Sequence, residues 1–220
     1  MNKIIDLDFD EMDLESGVFA ISVVNDPAMK SDFITLSNEG DQMNLAAIDD
    51  KKMLLMGAVM IPNKIIPRKN GTQIRFSKEV IRKASEVYFK RGYQQESTLE
   101  HKQDEKLAGM TVVESWIVED NAKDKSAIYG LDAPVGSWIV SMKCDNDEVY
   151  ELAKQGQING FSIEGIFPDR SEVALSAELS NYTNEDLEAL SALCEVAEKL
   201  ADSKDEAKEF IKSLIMFKNR

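Results

Sequence analysis

The sequence predicts an α+β protein in which mainly antiparallel strands are flanked by helices and followed by a separate C-terminal helical segment. Short runs of β-branched and apolar residues recur between turn signals, and two stretches carry apolar residues at helical spacing. Toward the C-terminus only the helical spacing remains. A chain of 220 residues is long enough to bury a substantial core.

Short apolar runs predict the strands. Turn sequences such as Asn25-Asp26-Pro27 and Lys69-Asn70-Gly71 separate them, and the second of these predicts a hairpin. Residues 37–52 are polar and are predicted to form a mobile surface connection. The predicted strands are residues 18–24, 33–36, 53–61, 64–68, 72–76, 97–101, 110–118, 127–131, 136–143 and 157–167.

Capping residues and periodicity predict two helices within the strand-rich part. Ser77 is a typical N-cap residue, and the apolar spacing that follows it ends at Gly92. Asp145 is predicted to cap a shorter helix that ends at Gly156. Both helices have one apolar face, and we expect the first to pack that face against the sheet.

Composition excludes several function classes. A net charge of -14 disfavours binding to a phosphate backbone, and the sequence contains no compensating basic patch. Cys144 and Cys194 show neither metal-ligand nor disulfide spacing, which favours a reducing cytoplasmic setting without a metal. The acidic start is unlike a signal peptide, and the longest apolar run, residues 53–61, is too short to span a membrane.

Ser162 and His101 are the residues most suggestive of chemistry. A serine nucleophile needs a base, and His101 is the only histidine in the chain. On the predicted last strand, Ser162 shares one face with Gly160 and Glu164, and Gly165 allows a bend beyond it. The spacing alone is weak, because an ordinary polar strand residue and a surface histidine would produce the same pattern.

Four motifs carry a resemblance to a known family. Leu99-Glu100-His101, the run from Val112 to Val118, Gly136-Ser137-Trp138 and Gly160-Phe161-Ser162-Ile163-Glu164-Gly165 resemble the motifs of phage serine proteases called XkdF-like. That family is similar to the prohead maturation proteases of tailed phages and to herpesvirus assemblin. The resemblance covers roughly residues 15–168 and implies a mainly antiparallel β-barrel with flanking helices.

One family segment is displaced. The sequence from Ala20 to Ala28 resembles a segment that usually follows the serine strand, but here it precedes both motifs. The resemblance therefore implies a circularly permuted fold, which closely spaced termini would allow. Where the usual pattern often has an acid, this chain has Ala20.

The third member of a Ser-His-acid triad remains open on the sequence alone. Glu164 shares the strand face of Ser162, Glu114 lies in the strand after His101, and Asp26 ends the displaced segment. An acid in this role fixes the imidazole tautomer and stabilises the imidazolium. A Ser/His dyad without an acid is the further alternative.

The resemblance implies an endopeptidase of procapsid maturation. Ser162 would attack a peptide carbonyl and His101 would take and return the proton. Its substrates and partners would be the phage scaffold, the major capsid protein and the protease itself, inside a procapsid in the bacterial cytoplasm. We expect no cofactor, no metal, no nucleic acid and no membrane. A non-enzymatic assembly protein that keeps the fold is the rival interpretation.

The chain is predicted to divide into a protease domain at 1–169, a linker at 170–182 and amphipathic helices at 183–220. The helices either close over the core or bind scaffold and other copies of the chain. We expect self-cleavage to fall in the linker, because extended backbone fits a protease cleft.

Overall fold

The computed structural model describes residues 4–27, 34–36, 53–68, 71–102 and 106–171, with isolated residues beyond. The chain divides into two units, Met1–Arg170 and Ser171–Arg220, and all elements given below belong to the first. The predicted connection at 37–52 lies outside the described residues, as does most of the predicted linker and C-terminal segment. At the start of the predicted linker, Arg170, Ser171 and Val173 are helical.

Short strands dominate the first unit. They are β1 (Ile4–Leu7), β2 (Gly17–Val24), β3 (Ile34–Leu36), β4 (Leu54–Met60), β5 (Ile66–Pro67), β6 (Gln73–Phe76), β7 (Met110–Ile117), β8 (Trp138–Cys144) and β9 (Gly160–Ile166). The helices are α1 (Lys78–Lys90), α2 (Lys125–Ile128) and α3 (Asp147–Lys154), with a 3₁₀ turn at Tyr93–Gln95. No helix in the described ranges is both long and apolar enough to cross a membrane.

The strands form three sheets. One has the order β3-β4-β8-β7 and is antiparallel throughout, and β2 pairs antiparallel with β9. In the third, β6 lies between β5, which is antiparallel to it, and β1, which is parallel to it. The predicted mixed, mainly antiparallel class is confirmed. Among the described strands no closed barrel is found, so the predicted barrel is not confirmed.

The central strand β4 is buried on both faces. Leu55 and Val59 on β4 belong to the main core, whereas Met56 and Ala58 point the other way into a smaller cluster. Residues alternate in this way because successive strand side chains face opposite sides. Complete burial of such a side chain stabilises the fold by about 1.5–3 kcal/mol. Burial on both faces explains the continuous apolar run that predicted a central strand.

The helix α1 forms as predicted. Ser77 Oγ accepts a hydrogen bond from the Val80 amide at 3.3 Å, and Gly92 ends the helix with φ of 75°. Its apolar face is buried in the main core, where the Tyr88 ring meets the Trp138 ring edge-on at 5.5 Å. For α3 the predicted cap is off by one residue, because Asn146 and not Asp145 accepts from the Val149 amide.

The predicted strand at 127–131 is wrong. Asp124 caps the short helix α2 by accepting hydrogen bonds from the Ser126 amide and hydroxyl, at 2.8 and 2.6 Å. The same oxygen accepts from Trp116 Nε1 at 2.9 Å, so the helix is tied to β7. Side-chain capping of the backbone outweighed the apolar composition of this stretch. The hairpin of β5 and β6 is confirmed, while β1 was not predicted.

Loss of the Asp124 charge is expected to weaken the fold in a pH-dependent way. Burial by itself raises the pKa of Asp124, but hydrogen bonds from Ser126 and Trp116 outweigh it and leave the pKa below its usual value. Such a carboxyl stabilises the fold above its unfolded pKa of about 3.9. That stabilisation is lost as the pH falls through the lower folded pKa. Asp124→Asn should therefore lower the free energy of unfolding by roughly 1 kcal/mol at neutral pH.

Urea unfolding of wild type and variant at about pH 7 and about pH 3 tests this, with the difference expected to shrink at the lower pH. Asp120→Asn is the matched control, because Asp120 lies in the same loop but bonds the Ala122 amide instead. A difference of unchanged size at both pH values would contradict the prediction.

Candidate active site

The pairing of β2 with β9 brings together residues that are far apart in the sequence. In this register Ser162 lies directly opposite Ser22, and Glu164 lies opposite Ala20. Side chains at opposed positions point to the same face of an antiparallel pair. Ser22, Ser162 and Glu164 therefore share one face of this two-stranded sheet.

Residues 97–99 run along the other edge of β2. The Val23 amide donates to the Thr98 carbonyl and the Glu100 amide donates to the Val23 carbonyl, each at 3.1 Å. Val23 and Leu99 form a parallel bridge. Thr98 is thus placed beside Ser22, and the chain reaches His101 just beyond the end of this bridge.

A tight turn presents His101. The Lys102 amide donates to the Leu99 carbonyl at 3.1 Å, and the two central residues, Glu100 and His101, have φ of 53° and 57°. The left-handed region costs a residue other than glycine roughly 1–2 kcal/mol. The Glu100 carboxylate helps to hold the turn by accepting from the Asn25 amide at 2.6 Å. Such strained positions persist only where the surroundings fix them, and they are frequent at functional sites.

A buried hydrogen-bond cluster lies behind the imidazole. Glu164 Oε1 accepts from Ser22 Oγ at 2.5 Å and also from Thr98 Oγ1, and it lies 3.7 Å from His101 Nδ1. Ser22 Oγ is 3.3 Å from the same ring nitrogen. The Ser22 side chain is completely buried, while the side chains of Glu164 and His101 are 11% and 45% exposed. The acid is therefore enclosed and the imidazole reaches solvent.

The other two predicted acids lie elsewhere. Glu114 on β7 pairs with Lys125 at 2.5 Å and accepts from Ser141 Oγ at 2.5 Å, within the four-stranded sheet. Asp26 follows the end of β2 and is exposed. Of the three candidates, Glu164 alone approaches His101 among the described contacts.

Ser162 and His101 line one cleft of about 280 Å³. Most of its lining is apolar. Within this lining, Phe167 packs edge-on against Phe76, with ring centroids 4.9 Å apart. Arg68 contributes a cation to the cleft. The other lining residues are Val59, Ile66, Pro67, Ile74, Ile163 and Gly165.

No hydrogen bond joins Ser162 to His101 among the described residues. The hydroxyl within hydrogen-bond distance of the ring is that of Ser22. Catalytic hydrogen bonds are often long in a free enzyme and tighten when substrate binds. The arrangement therefore places His101 and Ser162 around one opening, with the largely buried Glu164 carboxylate behind the ring and without the proton-transfer contact itself.

Gly165 is required by the backbone. A Cβ atom at this position would lie 2.3 Å from the Gly17 carbonyl oxygen, so only glycine permits this approach of β2 to β9. The predicted irregularity beyond Ser162 is found on the partner strand, where the register shifts between Val18 and Ala20. Gly165 also lines the cleft, so the close approach shapes the opening beside Ser162.

Ser22 and Thr98 were not singled out from the sequence. Ser22 is the one hydroxyl residue in β2, a strand that is otherwise apolar, and a buried hydroxyl needs a partner. The isolated hydroxyl of Ser22 was visible in the sequence, but the residues that bond to it lie on two other segments. In the described part of the chain no three His, Cys, Asp or Glu side chains are grouped so that they could hold a metal ion.

The comparisons with known proteins place the chain in a family. A search of the curated proteins and a search of the solved structures found no match. The model of the family described as "Putative phage serine protease XkdF" matches residues 42–171, which include His101, Ser162 and Glu164 but not Ser22. Since this match spans more than half of the 220 residues, the chain belongs to the XkdF family of phage serine proteases.

Proposed function

We propose that this chain is a serine endopeptidase of phage procapsid maturation. Ser162 attacks the carbonyl carbon of the scissile peptide, and His101 takes the hydroxyl proton and then gives it to the leaving amine. In the second step His101 takes a proton from water, the water oxygen attacks the acyl carbon, and the proton goes to Ser162 Oγ as the bond from that oxygen to the acyl group breaks. The observation that carries this proposal is the cleft that Ser162 and His101 both line. Glu164 lies behind the ring, outside this lining.

Glu164 is the acid of this proposal. Its carboxylate lies on the Nδ1 side of His101, which leaves Nε2 for the reacting proton. A carboxylate in a largely buried place stabilises the imidazolium that forms when Ser162 loses its proton. Glu114 cannot serve in the same way, because its contacts are with Lys125 and Ser141 in another sheet.

The apolar part of the cleft supports a peptide substrate. Phe167 is held by edge-on contacts with Phe9 and Phe76, so the wall beside Ser162 is preformed. A cleft of about 280 Å³ suits one or two side chains better than a large ligand. We infer that the phage scaffold, the major capsid protein and the chain itself are cleaved within the procapsid in the host cytoplasm.

A second candidate function is favoured by one observation. In the described residues His101 is bonded to Ser22 and not to Ser162. A non-enzymatic assembly protein that retained the fold would need no contact between them. Such a protein would bind scaffold without cleaving it.

Replacement of Ser162 separates the two candidates. Wild type should react with a fluorophosphonate probe and lose its C-terminal segment by cleavage within residues 170–182, because both events need the activated hydroxyl. Ser162→Ala should reduce labelling at least about a thousandfold and leave the chain intact. In-gel fluorescence and intact-mass spectrometry measure the two events.

Ser115→Ala is the control for this experiment. Ser115 is another strand serine, and its hydroxyl accepts from Trp138 Nε1 at 2.8 Å, away from the cleft. Its labelling and processing should equal those of wild type. A folded wild-type chain that neither labels nor shortens would favour the assembly protein.

Two glutamates provide a matched test of the acid. Glu164→Gln should slow fluorophosphonate labelling by roughly 100- to 10,000-fold, because a neutral amide neither stabilises the imidazolium nor favours the reactive tautomer. Glu114→Gln removes an equal charge in the neighbouring sheet and should label at the wild-type rate. The labelling rate constants of the three proteins decide the assignment, and equal losses in both variants would remove Glu164 from the proposed role.

A further inference from the structure

We propose that Ser22 is a positioning residue that connects Glu164 to His101 and sets the tautomer of the imidazole. This inference rests on the proposed function of the same site. The carboxylate oxygen is 3.7 Å from His101 Nδ1, which is too far for a hydrogen bond. Ser22 Oγ fills that gap, at 2.5 Å from Glu164 Oε1 and 3.3 Å from the ring nitrogen.

Contact lengths and proton counting together assign the direction of the hydrogen bonds: Ser22 Oγ is 2.5 Å from Glu164 Oε1, against 2.8 Å from Thr98 Oγ1 and 3.3 Å from His101 Nδ1. A hydroxyl has one proton to donate, and an ionised carboxylate can only accept. Ser22 therefore gives its proton to Glu164 and has only lone pairs left for His101. The ring must then donate from Nδ1 to Ser22 Oγ, so Nε2 carries no proton in the neutral ring. That is the tautomer a general base for Ser162 needs.

Thr98 holds the acid from the other side. Its hydroxyl donates to the same oxygen, Glu164 Oε1, and lies 2.8 Å from Ser22 Oγ. Thr98 is 6% exposed and Ser22 is completely buried, so water cannot easily replace either donor. With two donors on one oxygen, the carboxylate is kept in place and Ser22 is kept turned toward it.

Complete burial excludes a different role for Ser22. Its hydroxyl is the nearer one to His101, yet it is inaccessible to a substrate and its proton is engaged by Glu164. Ser162 is itself only 4% exposed, but unlike Ser22 it lines the open cleft. The two opposed serines therefore have different roles. Ser162 faces the substrate, and Ser22 bonds to the acid.

The tautomer can be read directly, because His101 is the only histidine in the chain. The full-length protein is produced without a polyhistidine tag and with ¹⁵N-labelled histidine, so that both ring signals come from His101. At a pH where the ring is neutral, the wild-type spectrum should show the proton on Nδ1. Ser22→Ala removes the acceptor and should abolish that preference, and Ser22→Thr should restore it.

The same variants are compared in fluorophosphonate labelling. Ser22→Ala should slow labelling about 10- to 100-fold, as expected for loss of one hydrogen bond to a group that becomes charged. Ser97→Ala is the matched control, because Ser97 is equally enclosed in the adjacent segment but donates to the Ile21 carbonyl at 2.7 Å. Its labelling and its ring spectrum should equal those of wild type. Urea unfolding of each variant separates loss of stability from loss of positioning.

The outcomes are distinct. A wild-type ring protonated on Nε2, or a Ser22→Ala ring identical to that of wild type, would overturn the role of Ser22. Equal slowing by Ser97→Ala and Ser22→Ala would show a structural effect only, which also overturns it. If wild type fails to label while its ring carries the Nδ1 proton, the protease proposal fails and the Ser22 connection stands.

Discussion

The antiparallel pairing of β2 with β9 is the interaction on which the rest of the site depends. β2 is hydrogen-bonded on both edges, so Ser22 lies between Ser162 on β9 and Thr98 in the segment 97–99. A shift of one residue in this register would turn the serine face toward the core. Ile21 and Val23, both completely buried, oppose such a shift because each would lose about 1.5–3 kcal/mol on exposure. Core packing therefore sets the geometry of the polar cluster.

Two unfavourable features are concentrated at this site. Glu164 places a carboxylate where it is 11% exposed, and the turn at Glu100 and His101 uses backbone angles that L-residues avoid. Hydroxyl donors from Ser22 and Thr98 offset the first, and the Asn25 amide bonded to Glu100 offsets part of the second. Each compensation comes from β2, from the residue just after it or from the segment 97–99 beside it. The site is therefore stabilised by the same segment that positions it.

Local sequence patterns explain why several strands and one helix of the fold were predictable. The apolar runs of β2 and β4 and the caps of α1 depend on neighbouring residues, and these elements were predicted from the sequence. The short helix α2 was missed because one capping carboxylate, Asp124, overrides an apolar run. The choice between Glu164 and Glu114 was not predictable, since it depends on which strands become neighbours. For the same reason Ser22 and Thr98 had no visible partner until the pairing was known.

The register also gives a physical reason for a small residue at position 20. Ala20 is the cross-strand partner of Glu164. The Cβ atoms of such partners lie about 4.5–5.5 Å apart on the same face. Two carboxylates at that separation would repel each other, and one of them would bind a proton. The small neutral side chain of Ala20 leaves room for the Glu164 carboxylate. The carboxylate beside His101 therefore depends on both paired strands, since β9 supplies the acid and β2 supplies the small residue opposite it.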